Sequence, residues 1–387
     1  MKEDQIYKDR RDKINELRSK NEKMTARERT LKAINFEEPD RIPIDNWMVP
    51  EIKKRCREYW GCENDEELLA FLGVDVRDNY GPSYVGQEFK KFDDGTVADL
   101  WGVRRRVVTY GKGTSYEGTW KEVSWSPLEH MTTVEEINAY EGWPSADWWD
   151  YSKMKEECAY WHPEYFVLNK GDRLDRTAQL KPMMYLRGIQ QTFIDLAQNP
   201  EIVECIRDHI VNYFLEYNPK VFEAGGGEVD MFMMGDDVGG QRGPLLSVEM
   251  WRRYFKDAFR KYCDIAHSFG IKVMYHTCGD VYMLIPEFID AGLDCLQSLQ
   301  PEATNMDIKR LKKEFGKDLS FQGGMSIQQV LPLGTPEDVR KMVKYAADNA
   351  KQGGGYIFGT AHNIQADTAI ENVVALFEAY HEYGAYS

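Results

Sequence analysis

The chain has 387 residues, of which 42% are hydrophobic, and its formal net charge is −15 at pH 7. This length suits one large α/β domain with insertions or two domains, and the apolar content favours a folded core over disorder. An acidic chain lacks the basic surface that displaces counterions from nucleic acid, which argues against a nucleic-acid-binding protein. The same charge disfavours a polyanionic substrate unless a local basic pocket receives it.

No run of eighteen apolar residues occurs, so no segment is predicted to span a bilayer. Residues 1–24 are charged throughout and lack the apolar stretch of a signal peptide, which predicts a solvated helical arm on a cytoplasmic protein. The seven cysteines are scattered, odd in number and without a secretion signal. Free thiols or a metal ligand are therefore favoured over a disulfide framework.

Residues 25–387 are predicted to form one barrel domain. Its first helix opens at Thr25, which has capping-box spacing to Glu28. The segment RIPID, residues 41–45, is predicted to be the first strand.

Residues 90–161 differ in texture from the rest of the chain. Apolar and polar residues alternate around glycine-rich turns in the first half of this region, which is typical of a β-hairpin. Seven of the ten tryptophans lie between Trp101 and Trp161. We interpret residues 90–161 as a Trp-rich insertion over the barrel mouth. It could line a pocket for a flat substrate, dock a partner or form a small satellite core.

From about residue 165 onwards, short apolar runs alternate with amphipathic stretches. The predicted strands are 229–234, 272–276, 293–299, 319–323 and 355–359. The predicted helices are 247–268 (opened by Ser247), 281–291, 305–316, 335–352 (opened by Thr335) and a last helix after Thr368, which has capping-box spacing to Glu371. The alternation predicts βα units and a parallel sheet, and the number of repeats favours a (β/α)8 TIM barrel over a doubly wound sheet. No GxGxxG follows a strand, which argues against a dinucleotide fold.

The ends of these strands carry the residues that suggest chemistry, as expected in a βα barrel. His276 and Cys278 lie two residues apart at a strand end, so their side chains point to the same side. An imidazole and a thiolate suit zinc, and a catalytic zinc needs three protein ligands and an open position. His362, at another strand end, is the best third ligand, and Gln300 and Asp237 are weaker candidates.

Asp236 and Asp237 follow the strand at 229–234 and are the candidate catalytic acids. One carboxylate could act as a general base or anchor a substrate hydroxyl or amine. The other could cap the following turn or orient a ligand histidine. The candidate substrate-binding residues at or near the strand ends are Gln300, Tyr275, Asn363, Trp47 and Arg187; for Arg187 a structural salt bridge is equally compatible with the sequence.

Several longer motifs resemble the uroporphyrinogen decarboxylase superfamily, and in particular its corrinoid-dependent methyltransferase branch, which includes methylcobalamin:coenzyme M methyltransferase-like enzymes. The motifs are RERTLKAINFEEPDRIPID, GDDVGGQRGPLLSVEMWRRYF, YHTCGDVYMLIPEFIDAGLDCLQSLQP, FQGGMSIQQVLPLGTPEDVRKMV and GTAHNIQADTAIENVVALFEAY. The resemblance covers almost the whole chain from Thr25. It implies a (β/α)8 barrel with its site at the carboxyl ends of the strands.

The resemblance also implies a ligand set. The methyltransferase branch holds zinc with His-x-Cys and a later cysteine; His276 and Cys278 match the first two positions, and His362 stands at the third, a departure from the pattern. Gln300 stands where related methyltransferases have a glutamate. The decarboxylases carry an arginine-rich motif where this chain reads Asp45-Asn46-Trp47, so a porphyrinogen substrate is disfavoured.

A zinc ion with one thiolate ligand is a stronger Lewis acid than one with two. We therefore expect a methyltransferase that activates a leaving group, favouring O-demethylation of a methoxy compound and transfer of the methyl group to a corrinoid protein. The chain lacks a DxHxxG cobalamin loop, so the corrinoid (cobalamin) is expected to arrive on a partner protein.

Several alternatives stay open. The enzyme could transfer a methyl group from methylcobalamin to a thiol, or act as a metal-free, decarboxylase-like lyase. The chain could also be a corrinoid-protein-binding subunit without activity of its own. A homodimer is compatible with the sequence.

Overall fold

The computed structural model describes residues 2–114, 117–171 and 176–386. Strands in these ranges form a curved parallel sheet, a small antiparallel sheet and a two-stranded pair. They are β1 (Val76–Asn79), β2 (Ser83–Tyr84), β3 (Val97–Ala98), β4 (Arg104–Tyr110), β5 (Gly118–Trp125), β6 (Trp149–Asp150), β7 (Phe166–Asn169), β8 (Met231–Gly235), β9 (Lys272–His276), β10 (Cys295–Leu299), β11 (Ser320–Met325) and β12 (Tyr356–Thr360).

Helices surround the parallel sheet. They are α1 (Lys2–Asn21), α2 (Ala26–Ile34), α3 (Pro50–Trp60), α4 (Asp65–Leu72), α5 (Val134–Asn138), α6 (Met154–Trp161), α7 (Leu180–Arg187), α8 (Ile189–Gln198), α9 (Pro200–Gly225), α10 (Val248–Tyr254), α11 (Lys256–Ser268), α12 (Ile285–Asp290), α13 (Ile308–Phe315), α14 (Val330–Leu333), α15 (Pro336–Ala350) and α16 (Ile370–Tyr383), with short 3-10 turns at Ala146–Trp148 and Tyr282–Leu284. None of the helices in the described ranges combines the length and apolar character needed to cross a membrane.

The parallel strands follow one another in the order β1-β7-β8-β9-β10-β11-β12, as in a TIM barrel. Residues 43–45 close the ring. On one side the Phe358 N–H donates to the Pro43 carbonyl (2.8 Å) and the Asp45 N–H donates to the Phe358 carbonyl (2.9 Å). On the other side the Asp75 N–H donates to the Ile44 carbonyl (2.8 Å). The predicted (β/α)8 fold is confirmed.

The predicted first strand, residues 41–45, is not a regular strand. It pairs with other parts of the chain only through isolated β-bridges. Pro43 has no N–H to donate, and the Ile44 N–H donates to the Asp75 carboxylate (2.7 Å) instead of to a strand carbonyl. The ladder hydrogen bonds that define a regular strand are therefore interrupted at two successive positions.

Alternation along the strands divides the barrel interior into two layers. The lower layer is an apolar plug that includes Met233, Met274, Cys295 and Ile357. The next layer, towards the carboxyl ends of the strands, has polar side chains at four inward-facing positions. They are Asp45, His276, Gln297 and Gln322, all at most 6% exposed. The carboxyl end of the barrel is thus lined with chemistry, and the opposite end is filled with hydrocarbon.

The charged amino-terminal arm is docked on the barrel, so the prediction of a solvated extension is wrong. Ile14 is 1% exposed. The Arg18 guanidinium donates to the carbonyls of Ala70 (2.5 Å) and Phe71 (2.8 Å) at the end of α4. Arginine side chains on one face of α1 supply these contacts, which a reading of charge alone assigns to solvent.

The Trp-rich insertion contains the predicted hairpin as part of an antiparallel sheet, β3-β4-β5. The base of the hairpin contacts α7, where the Arg105 guanidinium lies 4.3 Å from the Tyr185 ring centre. Its tip, at Gly118, lies beside Glu51 at the start of α3. Both helices begin at the carboxyl side of the barrel, so the hairpin runs along the rim of the mouth.

The tryptophans of the insertion have two different environments. Trp101 and Trp149 are buried against α9, each with a ring centre 5.4 Å from a tyrosine of that helix. Trp120 and Trp125 are 40% and 39% exposed on the hairpin. Part of the cluster is therefore a satellite core, and part of it faces solvent.

Helix starts agree with the sequence where the cap residue is not buried. Thr25 and Thr335 form complete capping boxes, and Ser247 caps α10. The predicted capping box at Thr368 is wrong, because Ala369 is the N-cap residue of α16 and Thr368 is buried in the preceding turn. The predicted helix 247–268 is divided into α10 and α11 at Phe255.

Candidate metal centre

Three side chains converge at the carboxyl end of the barrel. His276 ends β9, Cys278 follows it in the loop, and His362 follows β12. One ligand atom from each of these residues lies within 4.8 Å of the others. The strand register brings β9 and β12 to the same rim although 86 positions separate the two histidines in the sequence. The two histidine ring centres are 5.6 Å apart.

The spacing of the His276 and Cys278 donor atoms fits a zinc ion. Bond lengths of about 2.0 Å to nitrogen and 2.3 Å to sulfur, at a tetrahedral angle, place the two donors about 3.5 Å apart. The observed separation of His276 Nε2 and Cys278 Sγ is 3.8 Å. Two imidazoles and one thiol match the three-ligand pattern of a catalytic zinc site, with a fourth position left for a substrate.

Gln297 fixes the orientation of His276. It lies directly opposite His276 in the β9–β10 register, is fully buried, and its Oε1 contacts His276 Nδ1. This contact makes Nδ1 the protonated nitrogen and leaves Nε2 facing Cys278. Burial, reinforced by the charge of Arg176, lowers the pKa of His276 to about 3, so the imidazole is neutral and able to bind a metal.

Trp47 covers the centre from the side of residues 43–45, which close the barrel. Its ring is stacked on His276 with ring centres 5.7 Å apart, and it meets His362 edge-on at 6.4 Å. The Lys170 ammonium lies 3.7 Å from the Trp47 ring centre and also donates to Asp78 (2.6 Å). The structure therefore places Trp47, a predicted substrate-binding residue, against two members of the triad.

The loop that carries Cys278 is held by glycines. Gly279 has φ +82°, and a Cβ on it would lie 2.6 Å from the Gly239 carbonyl carbon. The Gly279 N–H donates to Gln300 Oε1 (3.1 Å). Gln300 thus supports the loop next to Cys278 through its amide oxygen, a supporting role in addition to the predicted substrate contact. Burial, with the charge of Asp237, raises the pKa of the Cys278 thiol to about 12.

The two neighbouring aspartates have different surroundings. Asp236 is buried and accepts hydrogen bonds from the N–H groups of residues 179–181 at 2.6–3.2 Å, so it caps the start of α7. Asp237 is half-buried, and its Oδ2 pairs with the Lys181 ammonium (2.6 Å). Burial would raise the pKa of Asp237, but the charge of Lys181 and its hydrogen bond outweigh it and lower the pKa to about 2.

Two predicted substrate-binding residues lie away from the centre. Tyr275 precedes His276 in β9, so its side chain points to the opposite face and packs against Phe259 and Phe288. Arg187 is buried at the end of α7, where it pairs with Asp195 (2.7 Å) and donates to carbonyls of the Trp-rich insertion. Both predictions are corrected, because one residue faces the helix layer and the other holds the insertion in place.

Asn363 follows His362 in the loop after β12 and is half-buried. Its carbonyl accepts a hydrogen bond from Gln365 Nε2 (2.9 Å). Its position next to the triad keeps it as a proposed substrate contact.

Asp45 is a further member of the site that sequence reasoning missed. It is 4% exposed and accepts hydrogen bonds from Gln322 Nε2 (3.1 Å) and the Asn46 N–H (2.8 Å). Gly359 leaves room for this contact, since a Cβ there would lie 2.7 Å from Gln322 Nε2. Burial and the neighbouring charge of Asp78 raise the pKa of Asp45 to about 7. The sequence signal for Asp45 was its place in the RIPID segment, at a position where the alternation along a strand directs the side chain into the barrel.

Gln297, Lys170 and Lys181 were also missed. Each lies in a run without an unusual motif, and each contacts the site only because strands or loops distant in sequence are neighbours in space. The inward parity of Gln297 in the predicted strand 293–299 was the one sequence signal available for it.

The chain is a TIM barrel with a His/Cys/His cluster at the carboxyl ends of its strands, which is where TIM-barrel enzymes have their active sites. The family model described as uroporphyrinogen decarboxylase (URO-D) matches residues 178–383, just over half of the chain. The chain therefore belongs to the uroporphyrinogen decarboxylase family.

Relatives of two kinds are similar to this chain. A methylated-thiol–coenzyme M methyltransferase of Methanosarcina mazei is 23% identical over 210 residues, covering 53% of this chain and 52% of the relative. A uroporphyrinogen decarboxylase of Coxiella burnetii is 24% identical over 195 residues, covering 49% of each chain. The chain thus spans about half the length of the curated relatives it matches.

The fold is also similar to that of a solved structure, a methyltransferase from Methanosarcina mazei. The TM-score is 0.61 at 17% sequence identity, and the match covers 93% of this chain and 99% of the other. At this identity the likeness supports the fold.

Proposed function

We propose that the protein is a zinc-dependent methyltransferase that moves a methyl group from a methylated small molecule, favoured to be a methoxy compound, to a corrinoid protein. The observation that carries the proposal is the convergence of His276, Cys278 and His362 donor atoms within 4.8 Å at the barrel mouth. The similarity to a methyltransferase over half of the chain supports the same reaction class.

The three side chains would hold zinc with one thiolate and two neutral nitrogens. Zinc bound in this way would supply a Lewis acid to the oxygen of a methyl ether. Gln297 keeps His276 Nε2 directed to the centre, and Trp47 covers one side of it. Asp237, held ionised by Lys181, suits the anchoring of a substrate hydroxyl better than proton transfer, because a carboxylate with a pKa of about 2 is a weak base.

Metal analysis of purified protein tests the centre. We expect near-stoichiometric zinc in the wild type and loss of zinc in His276→Ala, Cys278→Ser and His362→Ala. His130→Ala, a change at an exposed histidine of the Trp-rich insertion, is the matched control and should retain zinc. Wild-type protein without zinc, or full zinc content in all three variants, would contradict the proposal.

Activity assays separate the alternatives. In an assay with free cob(I)alamin as the acceptor, methylcobalamin formed from methoxyarenes would support O-demethylation. Methylation of a thiol by methylcobalamin would favour the reverse direction. The family name favours one further candidate, a metal-free lyase; release of CO2 from a carboxylic acid by zinc-free protein would support it. If the wild type shows no turnover and the His276→Ala variant still binds a corrinoid protein, the chain would be a binding subunit.

A further inference from the structure

The Trp-rich insertion encloses a cavity of about 270 Å3 that no residue of the metal triad lines. Its rim is exposed, with Val107 at 60% and Phe89 at 37% exposure. Its floor is buried, with Leu100 at 4% and Trp149 at 9% exposure. A pocket with an open rim and a buried floor can admit a small molecule, and its volume is near the lower end of ligand sites.

The walls of the cavity are aromatic and aliphatic. The rings of Tyr84 and Phe89 are stacked with centres 4.7 Å apart, and Trp149 meets Tyr84 edge-on at 5.4 Å. Val97 and Val107 contribute from β3 and β4. Flat aromatic ligands gain contact area against such walls at low conformational cost.

The floor contains a buried ion pair with an unused donor. Arg105 Nε donates to Asp99 Oδ2 (2.8 Å), and Asp99 Oδ1 accepts from the N–H groups of Trp101 and Val103. Arg105 Nη2 lies 2.8 Å from the same Oδ2 atom, but without the alignment of a hydrogen bond. Within the described part of the chain this buried nitrogen has no hydrogen-bond acceptor.

A buried guanidinium donor without an acceptor is costly, so its retention calls for a ligand or a water to complete it. Asp99 already accepts from Arg105 Nε and from two main-chain N–H groups. Lys121 adds a second positive charge at the rim, so two cations face one carboxylate in a chain whose net charge is −15. The cavity therefore favours an anion, although the chain as a whole repels one.

We propose that the insertion cavity binds a small aromatic carboxylate, with its ring between the Tyr84/Phe89 pair and the valines and its carboxylate accepting from Arg105. This site lies apart from the metal centre and does not depend on the proposed methyl transfer. Helix α7 joins the two regions, since Lys181 contacts Asp237 and Tyr185, one turn later, contacts Arg105.

Isothermal titration of the full chain with 4-methylbenzoate, an aromatic carboxylate without a methyl ether, tests the proposal. We expect saturable one-to-one binding, and binding at least about tenfold weaker for the neutral methyl ester, which lacks the charge that strengthens a hydrogen bond to a guanidinium. His276→Ala should bind the carboxylate like the wild type, which separates this site from the metal centre.

Two tryptophan substitutions on the same strand provide the matched pair. Val107→Trp fills the cavity and should weaken binding at least about tenfold, since it removes the space for the ring. Val108→Trp projects from the other face of β4 and should leave binding unchanged. No saturable binding by the wild type, equal binding of acid and ester, or wild-type affinity in Val107→Trp would each overturn the proposal.

Discussion

Gln297 is a neutral residue that orients His276, a proposed metal ligand. Its amide oxygen contacts His276 Nδ1, where many zinc-binding histidines have a carboxylate. An amide partner raises the basicity of the imidazole less than a carboxylate does, so a metal bound at His276 Nε2 would be more acidic.

The first prediction concerns this contact. Gln297→Met should weaken zinc binding by roughly 10–100-fold because His276 loses its orienting partner, whereas Gln297→Glu should bind zinc more tightly than Gln297→Met. Competition with a chromophoric chelator measures both affinities. Gln322→Met, a change of the neighbouring amide that contacts Asp45 instead, is the control. Equal affinities in all four proteins would show that Gln297 does not position the histidine.

Asp45 yields a prediction about pH. Its folded-state pKa of about 7 lies above the ordinary value of 3.8, so the folded chain retains a proton that the unfolded chain releases between these values. Asp45 therefore disfavours folding increasingly from about pH 4 to pH 7, by at most about 4 kcal/mol at about 1.4 kcal/mol per pH unit. The stability advantage of Asp45→Asn over the wild type should grow across that range.

Urea unfolding at pH 5 and pH 8 measures the effect of Asp45→Asn. Asp93→Asn, at an exposed position in the Trp-rich insertion, should show no such change with pH. A constant difference between Asp45→Asn and wild type at both pH values would mean that Asp45 is ionised in the folded protein throughout.

At the scale of elements, the start of α7 and the loop after β8 are tied together by Asp236. The carboxylate accepts three main-chain N–H groups that would otherwise be unsatisfied at the helix terminus. The adjacent Asp237 instead binds the Lys181 side chain. One aspartate therefore supports the helix, and its neighbour faces the site.

The two aspartates should respond differently to the same change. Asp236→Asn replaces one acceptor oxygen by an amide donor facing N–H groups, and should lower the free energy of unfolding by about 2–3 kcal/mol. Asp237→Asn should lower it by less than about 1 kcal/mol, because the lost ion pair is partly exposed. Urea denaturation compares the variants, and similar losses for both would contradict the division of roles.

At the scale of the whole molecule, the arm α1 is attached to the barrel by a buried network. Glu22 pairs with Arg18 (2.8 Å) and with Arg41 (2.9 Å). Arg41 in turn binds Asp75, which lies against Ile44 where the barrel closes. Through this network the arm is linked to Arg41 and Asp75, which lie where residues 43–45 meet β1 and close the barrel.

A low pH should release the arm. Burial would raise the pKa of Glu22, but Arg18 and Arg41 outweigh it and lower the pKa to about 2 from 4.5. The stabilisation is therefore complete above about pH 4.5 and is lost as the pH falls towards 2. At neutral pH, Glu22→Gln should reduce the hydrogen-exchange protection of α1, while Glu16→Gln, a change at an exposed pair, should not. Unchanged protection in Glu22→Gln would exclude this attachment.

The sequence anticipated the barrel because βα alternation is a local pattern of apolar runs and helix caps. It misplaced Tyr275, although the period of two along a strand already directs Tyr275 away from the side that His276 faces. It also treated α1 as solvated, because charge predicts exposure unless the partners of the charges are known. Arg187 was undecided for the same reason.

By itself the sequence determined which residues could bind a metal: a histidine and a cysteine two apart at a strand end, and a histidine at another. Those spacings follow from chain geometry within one strand and its loop. Only the tertiary structure decided that Gln297 orients His276, that Lys181 holds Asp237 ionised, and that Arg105 lies at the floor of a cavity. Such contacts depend on register and packing between segments far apart in the chain, where no local period carries the information.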